Sequence, residues 1–167
     1  FETGILDNDL VLAGVVTADL KVSISTTDAD FVVKLIDVFP DDFRYPGAVR
    51  QPNRGVGGSY PMGGYQMLVR AEIMRGRFRN DPSNPEAFKP NKIETVKFDL
   101  PDISHTFKKG HRLMIQVQSS WFPLVDRNPQ QLVNIYQCDE KDFIKSTIHV
   151  YHDASNASNI ILPILKN

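Results

Sequence analysis

From Arg112 to Gln118 the side chains alternate without a break. Leu113, Ile115 and Val117 fall on one side, and Arg112, Met114, Gln116 and Gln118 on the other. A period of two belongs to a strand with one buried face. Similar runs recur along the chain at Val11–Val16, Leu20–Thr26, Tyr65–Met74, Lys92–Leu100, Thr147–Tyr151 and Asn159–Leu165. Phe31–Val38 (FVVKLIDV) is apolar on both faces, as a central strand covered on both sides would be. Gly76–Arg79 reads as an extension of the Tyr65–Met74 strand after a bend.

About eight strands at this spacing predict an all-β sandwich or barrel rather than βαβ units. Eleven prolines and ten glycines between the runs supply the turns. The one helical candidate is short, Glu140–Ser146, with Asp139 placed to cap its first turn. Two segments are irregular: a long loop over Asp41–Gly64, and Asn80–Asn91 with its three X-Pro steps. Loops as long as the first are usually functional or mobile in a compact domain.

A chain of 167 residues suits one domain with a real core. A net charge of −1 gives no electrostatic footprint for nucleic acid. No apolar run approaches the ~20 residues that span a bilayer, so neither nucleic acid nor membrane is an expected partner. Cys138 is the single cysteine, which excludes an internal disulfide and a cysteine metal cage. Phe1-Glu2-Thr3-Gly4 carries no initiator Met and no signal-peptide pattern, and the chain reads as a piece of a longer protein.

Catalytic patterns fail one by one. Gly57-Gly58-Ser59-Tyr60-Pro61 approaches a nucleophile elbow but lacks the last glycine and the strand–helix context. His149, His152 and Asp153 hint at a hydrolytic or metal site, yet residues three apart on a strand face opposite sides. His105 and His111 flank a tight turn at Lys108-Lys109-Gly110 and are read as turn residues. Asp28 with Asp30, and Asp41 with Asp42, are read as turn formers bonding their own backbone. No catalytic residue, metal ligand or cofactor is assigned.

The loop after Gln118 is the distinctive feature. Trp121-Phe122-Pro123 offers either a core plug, a sugar-stacking platform or an interface anchor. Asp126-Arg127-Asn128 presents a guanidinium fork that Asp126 or another acid could take, pinning the loop. Asn156-Ala157-Ser158 fits a glycosylation sequon.

Four stretches carry a family resemblance: Asp30–Pro40, Gly64–Arg79, Gly110–Gln130 and His152–Leu165. In this order they resemble the C-terminal domain of X-Pro dipeptidyl-peptidase-like serine hydrolases. The GYQ at Gly64–Gln66 and SSWFPLVDRNPQ at Ser119–Gln130 look most like the branch of α-amino-acid ester hydrolases and glutaryl-7-aminocephalosporanic acid acylases. The resemblance implies a jelly-roll β-sandwich, similar to galactose-binding domains, lying C-terminal to an α/β-hydrolase domain that holds the catalytic triad. Residues 1–167 then form a single domain whose first strands lie upstream of Phe1. Its expected work is to buttress the catalytic domain, help wall the acyl pocket and contribute to homo-oligomer contacts. Trp121, Phe122, Asp126 and Arg127 are the expected interface residues. The Asp41–Gly64 loop is expected to face another domain or subunit. Ester hydrolases of this branch are often exported, which leans to a periplasmic or secreted protein. The rival expectation is a stand-alone carbohydrate-binding module.

Overall fold

A computed structural model describes residues 1–44 and 62–166. It contains seven strands, β1 (Leu10–Ile24), β2 (Asp30–Val38), β3 (Gln66–Arg75), β4 (Glu94–Phe107), β5 (Arg112–Gln118), β6 (Ile148–Val150) and β7 (Asn159–Ile161). They form two antiparallel sheets. One has the order β4-β1-β6 with β7 on the same edge of β1 as β6; the other has the order β3-β2-β5.

The two predicted strands at Val11–Val16 and Leu20–Thr26 are one strand. Val16, Ala18, Leu20, Val22 and Ile24 are all buried, so the period of two runs through the polar-looking Thr17-Ala18-Asp19. The opposite face is a polar ladder, with the Thr17 hydroxyl donating to Asp99 and the Lys21 ammonium to Asp19 and Thr95.

A bulge interrupts the β1–β4 pairing between Gly14 and Val16, which pair with Ile103 and Leu100. Pro101 falls in that gap. Its missing N–H therefore breaks no regular ladder bond, and β4 continues past the predicted end at Leu100. Gly14 has φ +126° and its Cα faces the Pro163 ring, so a side chain here meets both strain and contact.

β2 is the doubly covered strand the sequence predicts. Phe31, Val33 and Leu35 join the core between the sheets, where they meet Leu20, Val96, Leu100, Leu113 and Ile115. Val32 and Ile36, on the other face, are buried as well.

His105 and His111 are not merely turn residues. Asp37 is a buried carboxylate on β2, and it is held by His105 Nε2 of β4 at 2.9 Å and His111 Nδ1 at 2.7 Å. Each imidazole takes a different oxygen, so one side chain ties both sheets together. Phe39 packs on the His111 ring at 4.6 Å.

The predicted helix at Glu140–Ser146 is a single 3-10 turn, Glu140–Asp142, capped by Asp139. It stops because Phe143 is extended and the Ile144 N–H donates to the Pro129 carbonyl instead. Gly76–Phe78 is likewise a 3-10 turn and not an extension of β3.

Two substitutions test this framework by urea denaturation. Asp37→Ala leaves two imidazoles without their acceptor and is expected to cost about 3 kcal/mol or more. Gly14→Ala is expected to cost about 1–3 kcal/mol, from its left-handed backbone and the approach of Pro163.

Candidate functional site

Residues 119–147 connect β5 to β6 without forming a strand, and a buried polar network fixes their path. Asp28 and Asp30, in and before the start of β2, are fully buried, which overturns their reading as turn formers. Arg77 approaches Asp28 with its Nε at 2.8 Å and Nη2 at 2.6 Å, while its backbone N–H donates to the other carboxylate oxygen at 3.1 Å. The same guanidinium reaches out to the carbonyls of Val133 at 2.7 Å and Gln131 at 3.4 Å. Both guanidinium contacts fall on one carboxylate oxygen and the backbone N–H takes the other, so the Asp28 carboxylate is fixed in direction as well as distance.

Asn128 completes the network from the loop side. Its Nδ2 donates to Asp28 at 2.9 Å and to Asp30 at 2.8 Å, and its Oδ1 accepts the Gln130 N–H at 2.8 Å. Gln130 itself adopts φ +66°. Asn128 therefore pins the loop, the task the sequence assigned to Arg127. No acid takes Arg127 among the described residues; its guanidinium lies over the Phe143 ring, 4.9 Å from the centroid. Asp126 is exposed and forms no ion pair among the described residues.

Trp121 is half-buried, and the Lys34 ammonium stands 4.7 Å from its ring centroid. One ring face is thus occupied by a cation from β2, which does not suit a free sugar-stacking platform. Phe122 and Leu124 project beyond it with 66% and 67% of their surface exposed, and Tyr136 is 83% exposed. A polar cleft of about 270 Å³ lies between Ser119, Arg127, Gln130 and Phe143.

The remaining sequence candidates do not assemble. Asp153 accepts the N–H groups of Ser155 and Asn156 at 2.9 and 3.0 Å and so closes a turn. His152 meets the Phe1 ring and His149 the Tyr151 ring. The Ser158 hydroxyl of the sequon accepts the Lys21 N–H at 3.0 Å. Ser59 and most of the Asp41–Gly64 loop lie outside the described residues. Among the described residues no group of His, Cys, Asp or Glu is placed to hold a metal ion.

Sequence reasoning missed Arg77 and Arg79, and named Asn128 only as a neighbour of Arg127 in the Asp126-Arg127-Asn128 constellation. Arg79 is buried, donates to Glu94 and to the carbonyls of Gly76 and Glu86, and packs on Phe88 at 3.9 Å. The available signal was spacing: Arg75, Arg77 and Arg79 repeat every second residue, as Asp28 and Asp30 do.

Burial pushes the Asp30 carboxyl above its ordinary 3.8, against the Asn128 hydrogen bond and the Arg75 charge that favour the ionised form. An acid with a raised folded value binds its proton more tightly when folded. Its contribution to stability is therefore largest at low pH and declines as pH rises above 3.8 through the folded value. Asp30→Asn is expected to remove that decline, so the stability gap between variant and parent shifts in the variant's favour from pH 4 to pH 7. Urea midpoints across that range measure it, and a gap that does not change with pH counts against it. Asn128→Ala is expected to cost about 2–4 kcal/mol, because two buried carboxylates lose a donor.

The model of the X-Pro dipeptidyl-peptidase C-terminal non-catalytic domain matches residues 1–161. Cocaine esterase from Rhodococcus sp. (strain MB1 Bresler) is 31% identical over 166 residues, spanning 99% of this chain and 25% of that protein. An aminopeptidase from a marine sediment Thaumarchaeota archaeon superposes with a TM-score of 0.86 at 40% identity. An α-amino acid ester hydrolase superposes with a TM-score of 0.87, also at 40% identity. Each structural match covers 99% of this chain and 25% of the other. The chain thus spans about a quarter of the length of these relatives. With a family model matched over residues 1–161 and two antiparallel sheets, the chain belongs to the family of X-Pro dipeptidyl-peptidase C-terminal non-catalytic domains.

Proposed function

We propose that this chain is the supporting C-terminal jelly-roll domain of a serine hydrolase acting on amino-acyl ester, amide or peptide bonds. The triad serine and its partners reside in an upstream α/β-hydrolase domain. The loop of residues 119–147 is the surface that meets that domain and helps wall its acyl pocket. Phe122 and Leu124 are the apolar contacts, Trp121 is their base, and Asp126 and Arg127 are the polar rim. Homo-oligomer contacts and an exported parent protein belong to the same reading.

The observation that carries it is the contrast between frame and surface. Large side chains at Phe122, Leu124 and Tyr136 are held out to solvent by a loop whose own anchors are buried and fully bonded. Rigid exposed apolar groups with a polar rim mark an interface. The similarity to an esterase, an aminopeptidase and an α-amino acid ester hydrolase supports the substrate class.

In the full-length protein, replacing Phe122 and Leu124 together by Ser is expected to loosen the domain. Limited proteolysis between the domains should accelerate at least about tenfold, the equivalent of some 1.4 kcal/mol of lost contact. Turnover of an amino-acyl ester should fall with it, while the urea midpoint of the isolated chain stays put. Unchanged proteolysis and turnover would sink the assignment of this surface. The isolated chain is expected to hydrolyse no amino-acyl ester above the rate in buffer.

A further inference from the structure

The polar cleft of the 119–147 loop holds a cation and no anion. Arg127 is the only charged side chain among its described lining residues, in the company of Ser119, Ser120, Gln130, Phe143 and Ile144. Its guanidinium lies over the Phe143 ring, 4.9 Å from the centroid. Stacking of this kind occupies a planar face and leaves the N–H groups along the edge free to donate. The Ser120 Oγ accepts the Phe122 N–H at 3.4 Å, which leaves its own proton available. Ser119 exposes a second hydroxyl to the same cleft.

The acids of the neighbouring segments are committed elsewhere. Asp28 pairs with Arg77 at 2.6 Å and Asp30 with Arg75 at 3.4 Å, and Asn128 spends both Nδ2 hydrogens on them. In the 3-10 turn, Asp142 accepts the Asp139 N–H at 2.8 Å and Asp139 pairs with Lys141 at 3.2 Å. A guanidinium edge and two hydroxyls call for an anionic acceptor with planar oxygens. One cation balances one negative charge, which favours a carboxylate over a phosphate of nearly two. Phe143 and Ile144 give the cleft an apolar end for a short aliphatic body. Its lining has no acid to pair with an ammonium, so an amino group on the ligand is best blocked.

We infer that this cleft binds the free carboxyl end of an N-blocked amino acid or a peptide. The carboxylate lies on the edge of the Arg127 fork with the Ser120 hydroxyl beside it, and the last side chain rests against Phe143 and Ile144. The site goes beyond the proposed function. It rests on that reading only in placing Arg127 where two domains meet, a kind of boundary at which small-molecule sites are common.

The test titrates the chain with N-acetylalanine at constant ionic strength and follows its NMR signals. Saturable shifts are expected at the Ser119 and Ser120 amides and at the Arg127 Nε–H, with a Kd in the millimolar range that an exposed ion pair allows. The methyl ester of N-acetylalanine, which lacks the charge, should move none of them, and inorganic phosphate at equal concentration should not displace the acid. Arg127→Leu should weaken binding at least about tenfold, and Arg127→Lys by less, because a point charge keeps the attraction and loses the fork. Both variants should keep the parent's urea midpoint, since Asn128 anchors the loop. Equal shifts with the ester, displacement by phosphate, or undiminished binding by the Leu variant overturns the inference; the first two need no variant. Ligand-observed NMR on the full-length protein should detect the same binding, and its loss there gives the seat to an acid of the neighbouring domain and overturns the ligand reading. The titration of the chain involves no catalytic domain, so its failure leaves the Phe122 surface standing, and failure of that surface leaves the titration intact.

Discussion

The buried pair of Asp28 and Arg77 is the interaction on which the rest of the molecule's working surface depends. A charge pair of this kind adds little net stability compared with a well-packed apolar pair, because both ions must give up water. Its value is directional. Arg77 spends part of its fork on Asp28 and the remainder on the carbonyls of Gln131 and Val133, so the start of β2 and a distant loop share one guanidinium. Asn128 closes the circuit by donating to both carboxylates. Loss of any member strands a buried charge, and that penalty holds the loop in one conformation.

A second polar tie sits at the far end of β2, where Asp37 joins His105 and His111. Between the two ties the strand is apolar on both faces save for Lys34, whose ammonium stands over Trp121. The arrangement divides the labour. Dispersion and the hydrophobic effect hold the sheets together in the middle, and directional bonds fix register and loops at the ends. The exposed Phe122 and Leu124 depend on the second kind of force although they are themselves apolar.

The strands were largely legible in the sequence because their signal is periodic and local. Phe31–Val38 and Arg112–Gln118 announce themselves within a few residues. The single long β1 was split because Thr17 and Asp19 lie on its solvent face and mask the buried Ala18 between them. The helix at Glu140–Ser146 failed for a non-local reason, the bond from Ile144 to Pro129. The site was less legible still. Residues 119–130 stood out by composition, but the anchoring member could not be told apart, since Arg127 and Asn128 are neighbours with similar bonding capacity. Only the fold places Asp28 and Asp30, about a hundred positions away, beneath one of them.

β1 has one further consequence, in the order of events during synthesis. One of its edges pairs with β4, and the other is completed by β6, β7 and the Ile164 bridge, from the far end of the chain. As the chain emerges from a ribosome, the longest strand waits with an open edge until its last partners appear. Such non-local pairing slows folding and lengthens exposure to stray strands. The charges of Asp19 and Lys21 on the solvent face of β1 oppose the recruitment of a stray strand during that delay.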